Sequence, residues 1–308
     1  MTDGSSAAED RVWRALPVEA REPLERGLAP TDLQTLLLSV ARARAQRVTP
    51  HRLLARWRED RFVRPSQVDP RLLARVEPVL WAALPTRFAG VELSPLAPLG
   101  CCAALGPVHQ NRVVTTLRGS EVVSDPTNAL AVEAAARRST GAGTVHLAAC
   151  CRVVRAQAFD GPGLSAHFRL FALVSTGRDA GSGRTESAML VEHLGYWHEV
   201  LVRLRVRDAV TLSVTPFAGG VLAERLTDEV LPTLAARGAA LRLDNDRTHG
   251  VGYYDGGVAL SIDADGPEGQ LGDGGATTWT AQLLGDRKER CLVSCISTER
   301  LAARVAAL

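Results

Sequence analysis

The sequence contains almost no lysine. Lys288 is the only one in 308 residues, and every other basic residue apart from the histidines is arginine. Schiff-base chemistry, a phosphate-loop lysine or a lysine general base would each have to use that one side chain. The sequence also lacks a G-x-S-x-G nucleophile elbow and a phosphate-binding loop motif. Most mechanisms that depend on these groups are therefore excluded.

Metal-ligand spacing is missing as well. The six cysteines occur as the adjacent pairs Cys101-Cys102 and Cys150-Cys151, with Cys291 and Cys295 near the end. Adjacent residues of a strand point to opposite faces, so neither pair can clamp one metal ion, and no C-x-x-C spacing occurs. We predict no metal site in the protein and buried, reduced cysteines, as in a cytoplasmic protein.

Long apolar runs and strong charge are absent too. No apolar stretch approaches the ~20 residues that span a bilayer, and the first ten residues are polar and acidic, unlike a signal peptide. The net charge is only +2, without a basic stripe. We therefore expect no membrane contact and no nucleic-acid partner recognised by charge.

The pattern along the chain changes once. Leucines at three- and four-residue spacing predict helices up to about residue 84, and residues 1–75 are interpreted as a helical N-terminal extension. Residues 76–308 are interpreted as one domain, in which the long strands 146–157 and 167–175 alternate with helices such as 127–138. This order predicts an α+β fold built on one antiparallel sheet flanked by helices.

Five segments occur in an order that resembles a known family. They are Phe88 to Pro95; Ser124-Asp125-Pro126-Thr127; the strand, loop and strand at 146–175; His249-Gly250-Val251-Gly252-Tyr253-Tyr254 followed by Gly274-Gly275; and a last strand and helix that carries Arg300. Together they resemble the catalytic domain of class II aminoacyl-tRNA synthetases, most of all the histidyl-tRNA synthetase branch. The resemblance implies a homodimer. Only residues 301–308 follow Arg300 in this sequence, so we expect no anticodon-binding domain.

The resemblance implies a site for ATP and Mg²⁺. Arg155 matches the arginine on the α-phosphate, Arg300 the arginine on the γ-phosphate, and Phe171 the aromatic stacked on adenine. Arg169 matches the basic residue before that aromatic, and Gln157 replaces a glutamate that contacts the adenine amino group. Arg152 remains a rival of Arg155, since the two point to opposite faces of the strand and only one can meet the nucleotide.

The same resemblance implies a site for an amino acid. Asp125 and Thr127 match the loop that receives the ammonium group, although an aspartate here can equally cap the following helix. His249, Tyr253, Tyr254, Gly274 and Gly275 match the segments that line the amino-acid pocket, although adjacent tyrosines are often packing residues.

Further departures from the family lie in this pocket. His249 stands in place of an arginine, and Leu173 and Gly177 stand where the histidyl enzymes have glutamine and glutamate. An acid other than histidine is therefore expected.

Two functions from different classes are compatible with these features. The first is a ligase that activates an amino acid or small carboxylate as its adenylate and passes the acyl group to a protein or small-molecule acceptor, with tRNA disfavoured. The alternative is a non-catalytic paralog that senses an amino acid, like the regulatory subunit of ATP phosphoribosyltransferase. Arg155 and Arg300 favour the ligase, and His249 favours the regulatory subunit.

Overall fold

The computed structural model describes residues 7–157, 165–217, 219–265 and 269–307. The chain forms two compact units, one of residues 1–60 with 115–120 and one of residues 61–114 with 121–308. The first unit contains the helices α1 (Ala7–Arg14), α2 (Pro30–Ala45) and α3 (Pro50–Glu59), in which no residue is buried. The boundary at about residue 75 stays a prediction.

The second unit is built on a large sheet. Its strands are β1 (Ala89–Gly90), β2 (Leu96–Pro98), β3 (Ser120–Val122), β4 (Val145–Val154), β5 (His167–Arg178), β6 (Val210–Pro216), β7 (Leu241–Leu243), β8 (Val258–Ala264), β9 (Gln270–Thr277) and β10 (Glu289–Ser297). The described residues form an eight-stranded sheet of order β1-β4-β5-β10-β9-β8-β6-β7, while β2 and β3 form a small separate sheet. Pairing is antiparallel except at the two edges, β1 with β4 and β6 with β7. The predicted α+β class is confirmed.

Helices cover both faces of this sheet. They are α4 (Pro70–Ala83), α5 (Cys101–Leu105), α6 (Pro126–Ser139), α7 (Arg184–Arg203), α8 (Val221–Arg225), α9 (Leu231–Ala235), α10 (Trp279–Leu284) and α11 (Thr298–Ala306). Helices α4, α7 and α11 pack on one face, and α6 with α10 packs on the other. No described helix combines the length and the apolarity needed to cross a membrane.

The alternation of side chains along β5 divides the core between these two faces. Phe171 and Leu173 pack into the cluster under α7, whereas Leu170, Ala172 and Val174 pack into the cluster under α6. Successive residues of a strand point to opposite faces, so each position of β5 is assigned to one side by its parity. The candidate site lies on the α6 side.

The glycine-rich segment near the end forms β9 and allows close contact between strands. A Cβ atom on Gly272 would lie 2.1 Å from the Cys295 carbonyl oxygen, and one on Gly274 would lie 2.3 Å from that of Val293. Only glycine fits these positions. The preceding residues 250–257 form turns, in which the amides of Tyr253 and Tyr254 both donate to the Gly250 carbonyl at 3.0 and 2.8 Å.

Candidate ligand-binding site

Two neighbouring cavities open on the α6 side of the sheet and share the side chains of Arg155 and Asp273. The first, here called the Phe168 cavity, has a volume of ≈ 150 Å³ and is also lined by Leu170, Gly272, Cys295, Ser297, Glu299 and Arg300. The second, here called the Asn128 cavity, has a volume of ≈ 250 Å³ and is lined by Cys102, Ser124, Asp125, Arg247, Tyr253 and Tyr254 among others. Both are smaller than the ~300–1,000 Å³ of pockets for drug-sized ligands, so they suit small metabolites.

Arg155 follows the end of β4 and forms part of the wall of both cavities. Its Nε donates to the Ser124 carbonyl at 3.1 Å, and its Nη2 lies 3.7 Å from Asp125 Oδ2. The guanidinium carbon sits 5.1 Å from the centre of the Phe168 ring. A carbonyl, a carboxylate and an aromatic face thus hold this cation in place, where it can neutralise an anion bound in either cavity.

Arg152 lies on the opposite face, as the spacing of the two arginines requires. Its Nη2 donates to Glu299 Oε1 at 2.7 Å, and its Nη1 lies 2.9 Å from His167 Nδ1. It lines neither cavity. Of the two rivals left open by the sequence, Arg155 is the one that faces the site.

The two carboxylate oxygens of Asp125 make different contacts, one with the start of α6 and one in the Asn128 cavity. Oδ1 caps α6 by accepting the Thr127 amide at 2.9 Å and the Thr127 hydroxyl at 2.7 Å. Oδ2 accepts from the Tyr253 hydroxyl at 3.3 Å and remains near Arg155. The cap and the ligand-facing interpretation therefore hold together. Thr127 lines neither cavity, and its hydroxyl is already donated to Asp125, so it orients the carboxylate.

A buried guanidinium in the Asn128 cavity was not predicted. Arg247 donates from Nη1 to the Leu260 carbonyl at 3.1 Å and from Nε to the His249 carbonyl at 3.2 Å. Its Nη2 lies 3.8 Å from Asp273 Oδ2, and its guanidinium lies 5.7 Å from the Tyr254 ring centre.

His249 stands in place of the family's arginine, yet Arg247 brings a guanidinium to the same cavity. Arg247 lies two residues before His249, and this proximity was its only indication in the sequence. His249 itself lines the same cavity.

The tyrosine pair belongs to both the core and the cavity wall. Tyr253 packs edge-on against Tyr254 and Trp279, with ring centres 5.1 and 5.3 Å apart. Burial raises the pKa of both tyrosines well above the usual value, so they stay protonated donors. Gly275 gives the Tyr254 ring its space, because a Cβ there would lie 2.6 Å from the ring. Gly274 instead faces Ser294 and lines neither cavity.

Asp273 is the second carboxylate of the site and was also missed. It lies in β9 within the glycine-rich segment, and its side chain keeps 35% of its exposure. Burial raises its pKa, as does the nearby Asp125 carboxylate, whereas the Tyr254 hydroxyl and the Arg247 guanidinium lower it. An isolated aspartate among glycines carries no motif, so only the fold reveals it.

Comparisons with known proteins rest on structure alone, since neither a family model nor a curated protein sequence matches this chain. An ATP phosphoribosyltransferase regulatory subunit/histidyl-tRNA synthetase from Bacillus halodurans superimposes with a TM-score of 0.63 at 11% identity, covering 79% of this chain and 82% of that one. Apo histidyl-tRNA synthetase from S. aureus gives 0.59 at 14%, covering 77% and 65%. A histidine–tRNA ligase subunit from Alicyclobacillus acidocaldarius gives 0.60 at 13%, covering 79% and 97%. The fold is that of class II aminoacyl-tRNA synthetase catalytic domains.

Within this class II synthetase-like fold, the aromatic at the cavity is Phe168 and not Phe171. Phe171 is fully buried under α7, with its ring centre 4.8 Å from that of Trp81 and 5.9 Å from that of Tyr196. It has no surface for a ligand, so its assignment to adenine is wrong. An offset of three residues along β5 changes the face on which a side chain lies.

Arg169 shares the face of Phe171 and is likewise separated from the site. Its Nε lies 2.8 Å from Glu77 Oε1 of α4, and it lines neither cavity. Its proposed contact with the nucleotide is wrong for the same geometric reason.

The other predicted nucleotide residues are divided between the cavities. Arg300 lines the Phe168 cavity and donates from Nη1 to the Gln270 carbonyl at 2.6 Å. Its backbone amide donates to Ser297 Oγ at 3.3 Å, which caps α11. Gln157 lies in the Asn128 cavity. It is therefore separated from Phe168, the aromatic that could hold an adenine.

The class II synthetase-like fold implies a magnesium ion that travels with ATP, and few groups here suit it. Among the described ranges, no three histidine, cysteine or carboxylate side chains lie close enough to hold a metal. Glu299, the carboxylate beside Arg300, is already paired with Arg152 at 2.7 Å. The ion would depend chiefly on phosphate oxygens for its ligands.

Proposed function

We propose that this protein is an ATP-dependent ligase that activates an amino acid as its adenylate and passes the acyl group to an acceptor other than tRNA. The supporting observation is the position of Arg155 in the wall shared by two cavities of different chemistry. One cavity is lined by carboxylates and a buried guanidinium, and the other by an aromatic ring and Arg300. A reaction between an acid and a nucleotide needs a cation at that junction.

The amino acid occupies the Asn128 cavity in this proposal. Its ammonium group lies against Asp125 and Asp273, the two carboxylates that line this cavity. Its carboxylate points toward Arg155, the cation at the opening to the second cavity. This orientation brings the nucleophilic carboxylate oxygen to the junction, where the nucleotide must be attacked.

The nucleotide occupies the Phe168 cavity and the surface beside it. Adenine stacks on Phe168, Arg155 holds the α-phosphate, and Arg300 holds the γ-phosphate, with magnesium bound to the phosphates. The carboxylate oxygen forms a bond to the α-phosphorus as the bond to the bridging oxygen breaks, and pyrophosphate leaves. Positioning and charge neutralisation supply the catalysis, so neither a lysine nor a serine nucleophile is needed.

The second candidate is an amino-acid-sensing regulatory subunit that works as part of a homo-oligomer or with a partner enzyme. Two contacts favour it. Arg300 is already bonded to the Gln270 carbonyl, and Glu299 is already paired with Arg152. Both groups would have to change partner to serve a triphosphate. The ligand of the Asn128 cavity would be the same in either case.

Pyrophosphate exchange with ATP across a panel of amino acids tests the ligase. We expect exchange with one amino acid, and a loss of about 100-fold or more in Arg155→Ala and Arg300→Ala. Arg178→Ala is the matched control, because Arg178 pairs on the surface with Asp286, outside both cavities. If the whole panel is silent and calorimetry detects no ATP binding, the regulatory function is supported and the ligase is not.

A further inference from the structure

We infer that the amino acid bound in the Asn128 cavity carries a carboxamide or carboxylate oxygen on its side chain, and that Asn128 selects it. The inference rests on the proposed role of this cavity as the amino-acid site. Asn128 lies in the first turn of α6, is 2% exposed and lines the cavity. Its Nδ2 has no hydrogen-bond partner among the residues that the structure describes.

The orientation of the Asn128 amide follows from its neighbours. Cys102 donates its thiol proton to Asn128 Oδ1 at 3.1 Å, and the same sulfur lies 2.8 Å from Ser124 Oγ. Burial raises the pKa of the Cys102 thiol to about 12, so it remains a donor at neutral pH. The thiol thereby occupies the amide oxygen, and the amide nitrogen remains free for a ligand.

An unpaired buried donor is costly to the folded chain. Leaving an amide N–H desolvated without an acceptor destabilises a protein, so nearly all such groups find a partner. A ligand that brings an acceptor oxygen to this position satisfies the donor, whereas an apolar side chain leaves it unpaired. The site therefore discriminates by hydrogen bonding and not by size alone.

A second unfilled donor lies in the same cavity. Arg247 Nη2 has no hydrogen-bond partner among the described residues, and its distance of 3.8 Å from Asp273 is longer than a hydrogen bond. The cavity is lined by the buried Arg247, the half-buried Arg155 and the exposed Arg112, and by the two carboxylates Asp125 and Asp273. Both signs of charge needed to bind a zwitterion are therefore present, and the two unpaired donors can donate to one or two oxygens of its side chain.

Calorimetry without ATP tests this selectivity on the full-length protein. The probes are L-asparagine, L-aspartate, L-glutamine and L-glutamate, with L-leucine as the apolar amino acid of similar size. We expect at least one of the four to bind about tenfold or more tightly than leucine. Asn128→Leu should remove that preference. Glu133→Gln, an exposed change on the same helix, should keep it.

Asn128→Asp provides a second readout if the leucine variant does not fold. It keeps the shape but replaces the donor by an anion, so aspartate and glutamate should lose more affinity than asparagine and glutamine. The inference is overturned if wild type binds leucine as tightly as all four, if none of the four binds, or if Asn128→Leu keeps the preference. Selective binding without pyrophosphate exchange would contradict the ligase and leave this inference standing. Pyrophosphate exchange with leucine alone would support the ligase and contradict this inference.

Discussion

The two faces of the central sheet each carry a buried polar cluster, and the clusters differ in how their hydrogen bonds are used. Under α7, His146 Nδ1 lies 2.7 Å from Ser175 Oγ, which lies 2.8 Å from His193 Nε2. His193 Nδ1 lies 2.8 Å from Ser294 Oγ, which also accepts from Trp197 Nε1 at 2.9 Å. These five residues, the closed cluster, satisfy one another.

The cluster under α6 is arranged differently. Asn128 Nδ2 and Arg247 Nη2 are buried without hydrogen-bond partners in the described residues, and both line a cavity. Buried polar groups are almost always paired in folded proteins, because desolvation without a partner is costly. Side chains that pair with each other contribute to stability, and side chains left unpaired around a cavity indicate a ligand. The inferred selectivity for an oxygen on the ligand's side chain rests on this second pattern.

The largest expected effect contrasts two phenylalanines on one strand. Phe171→Ala should destabilise the protein by about 3–5 kcal/mol, because it removes a fully buried ring from the core. Phe168→Ala should cost about 1 kcal/mol or less, because that ring is partly exposed at the cavity. Urea unfolding measures both. Equal losses would contradict the assignment of the two rings to different faces.

This contrast also marks what could be read from the sequence. The long elements were predictable from alternation, periodicity and capping: the helix predicted at 127–138 is Pro126–Ser139, and the strand predicted at 167–175 is His167–Arg178. The choice between Phe168 and Phe171 depends on which face of β5 meets α6. Only the packed sheet fixes that.

The residues that line the Asn128 cavity were harder still to predict from the sequence. Asp125 was predictable because its cap position and its motif coincide in one short segment. Arg247 and Asp273 come from a turn region and from a glycine-rich strand, and neither has a local pattern that marks it. Their side chains lie 3.8 Å apart because Arg247 donates to the Leu260 carbonyl of β8, and β8 pairs with β9, which carries Asp273.

The second prediction tests the closed cluster directly. His193→Ala should destabilise the fold by about 2–4 kcal/mol, because it removes one of the two partners of each buried serine hydroxyl, Ser175 and Ser294, and creates a cavity. Amino-acid binding in calorimetry should not change beyond what stability explains. The control His109→Ala removes an exposed histidine and should cost less than about 1 kcal/mol. A selective loss of ligand affinity in His193→Ala would show that the two faces are coupled.

The third prediction concerns pH. Burial lowers the pKa of His193 from 6.5 to about 3, so the folded protein keeps this histidine neutral while the unfolded chain binds a proton. The resulting stability is fully present above pH 6.5 and declines as the pH falls toward 3, by at most about 1.4 kcal/mol per pH unit. Urea unfolding between pH 7 and pH 4 should show that the free energy of unfolding declines less steeply in His193→Gln than in wild type. Because burial also lowers the pKa of His146, part of the pH dependence of stability remains in that variant. Identical slopes would contradict the neutral, buried state of His193.

The smallest effect is expected at Asp273, in the polar cluster under α6. Its raised pKa means that the charged carboxylate disfavours the fold as the pH rises above its usual value near 3.8. Asp273→Asn removes that cost but also removes the counter-charge of Arg247 at 3.8 Å, so stability at neutral pH should change by less than about 1 kcal/mol. Affinity for an amino acid should fall a few-fold, since one of two carboxylates facing the ammonium is lost, with Asp125 remaining.

Calorimetry as a function of pH sharpens this last prediction. Wild-type affinity should decline as the pH falls from 7 toward 4, because Asp273 gains a proton at a higher pH than an ordinary aspartate. The asparagine variant should begin weaker and decline less over the same range. Burial keeps the two cavity tyrosines protonated over this range, so they do not contribute to the change. An unchanged pH profile in Asp273→Asn would place the ammonium against Asp125 alone, and would limit Asp273 to holding Arg247 beside the ligand.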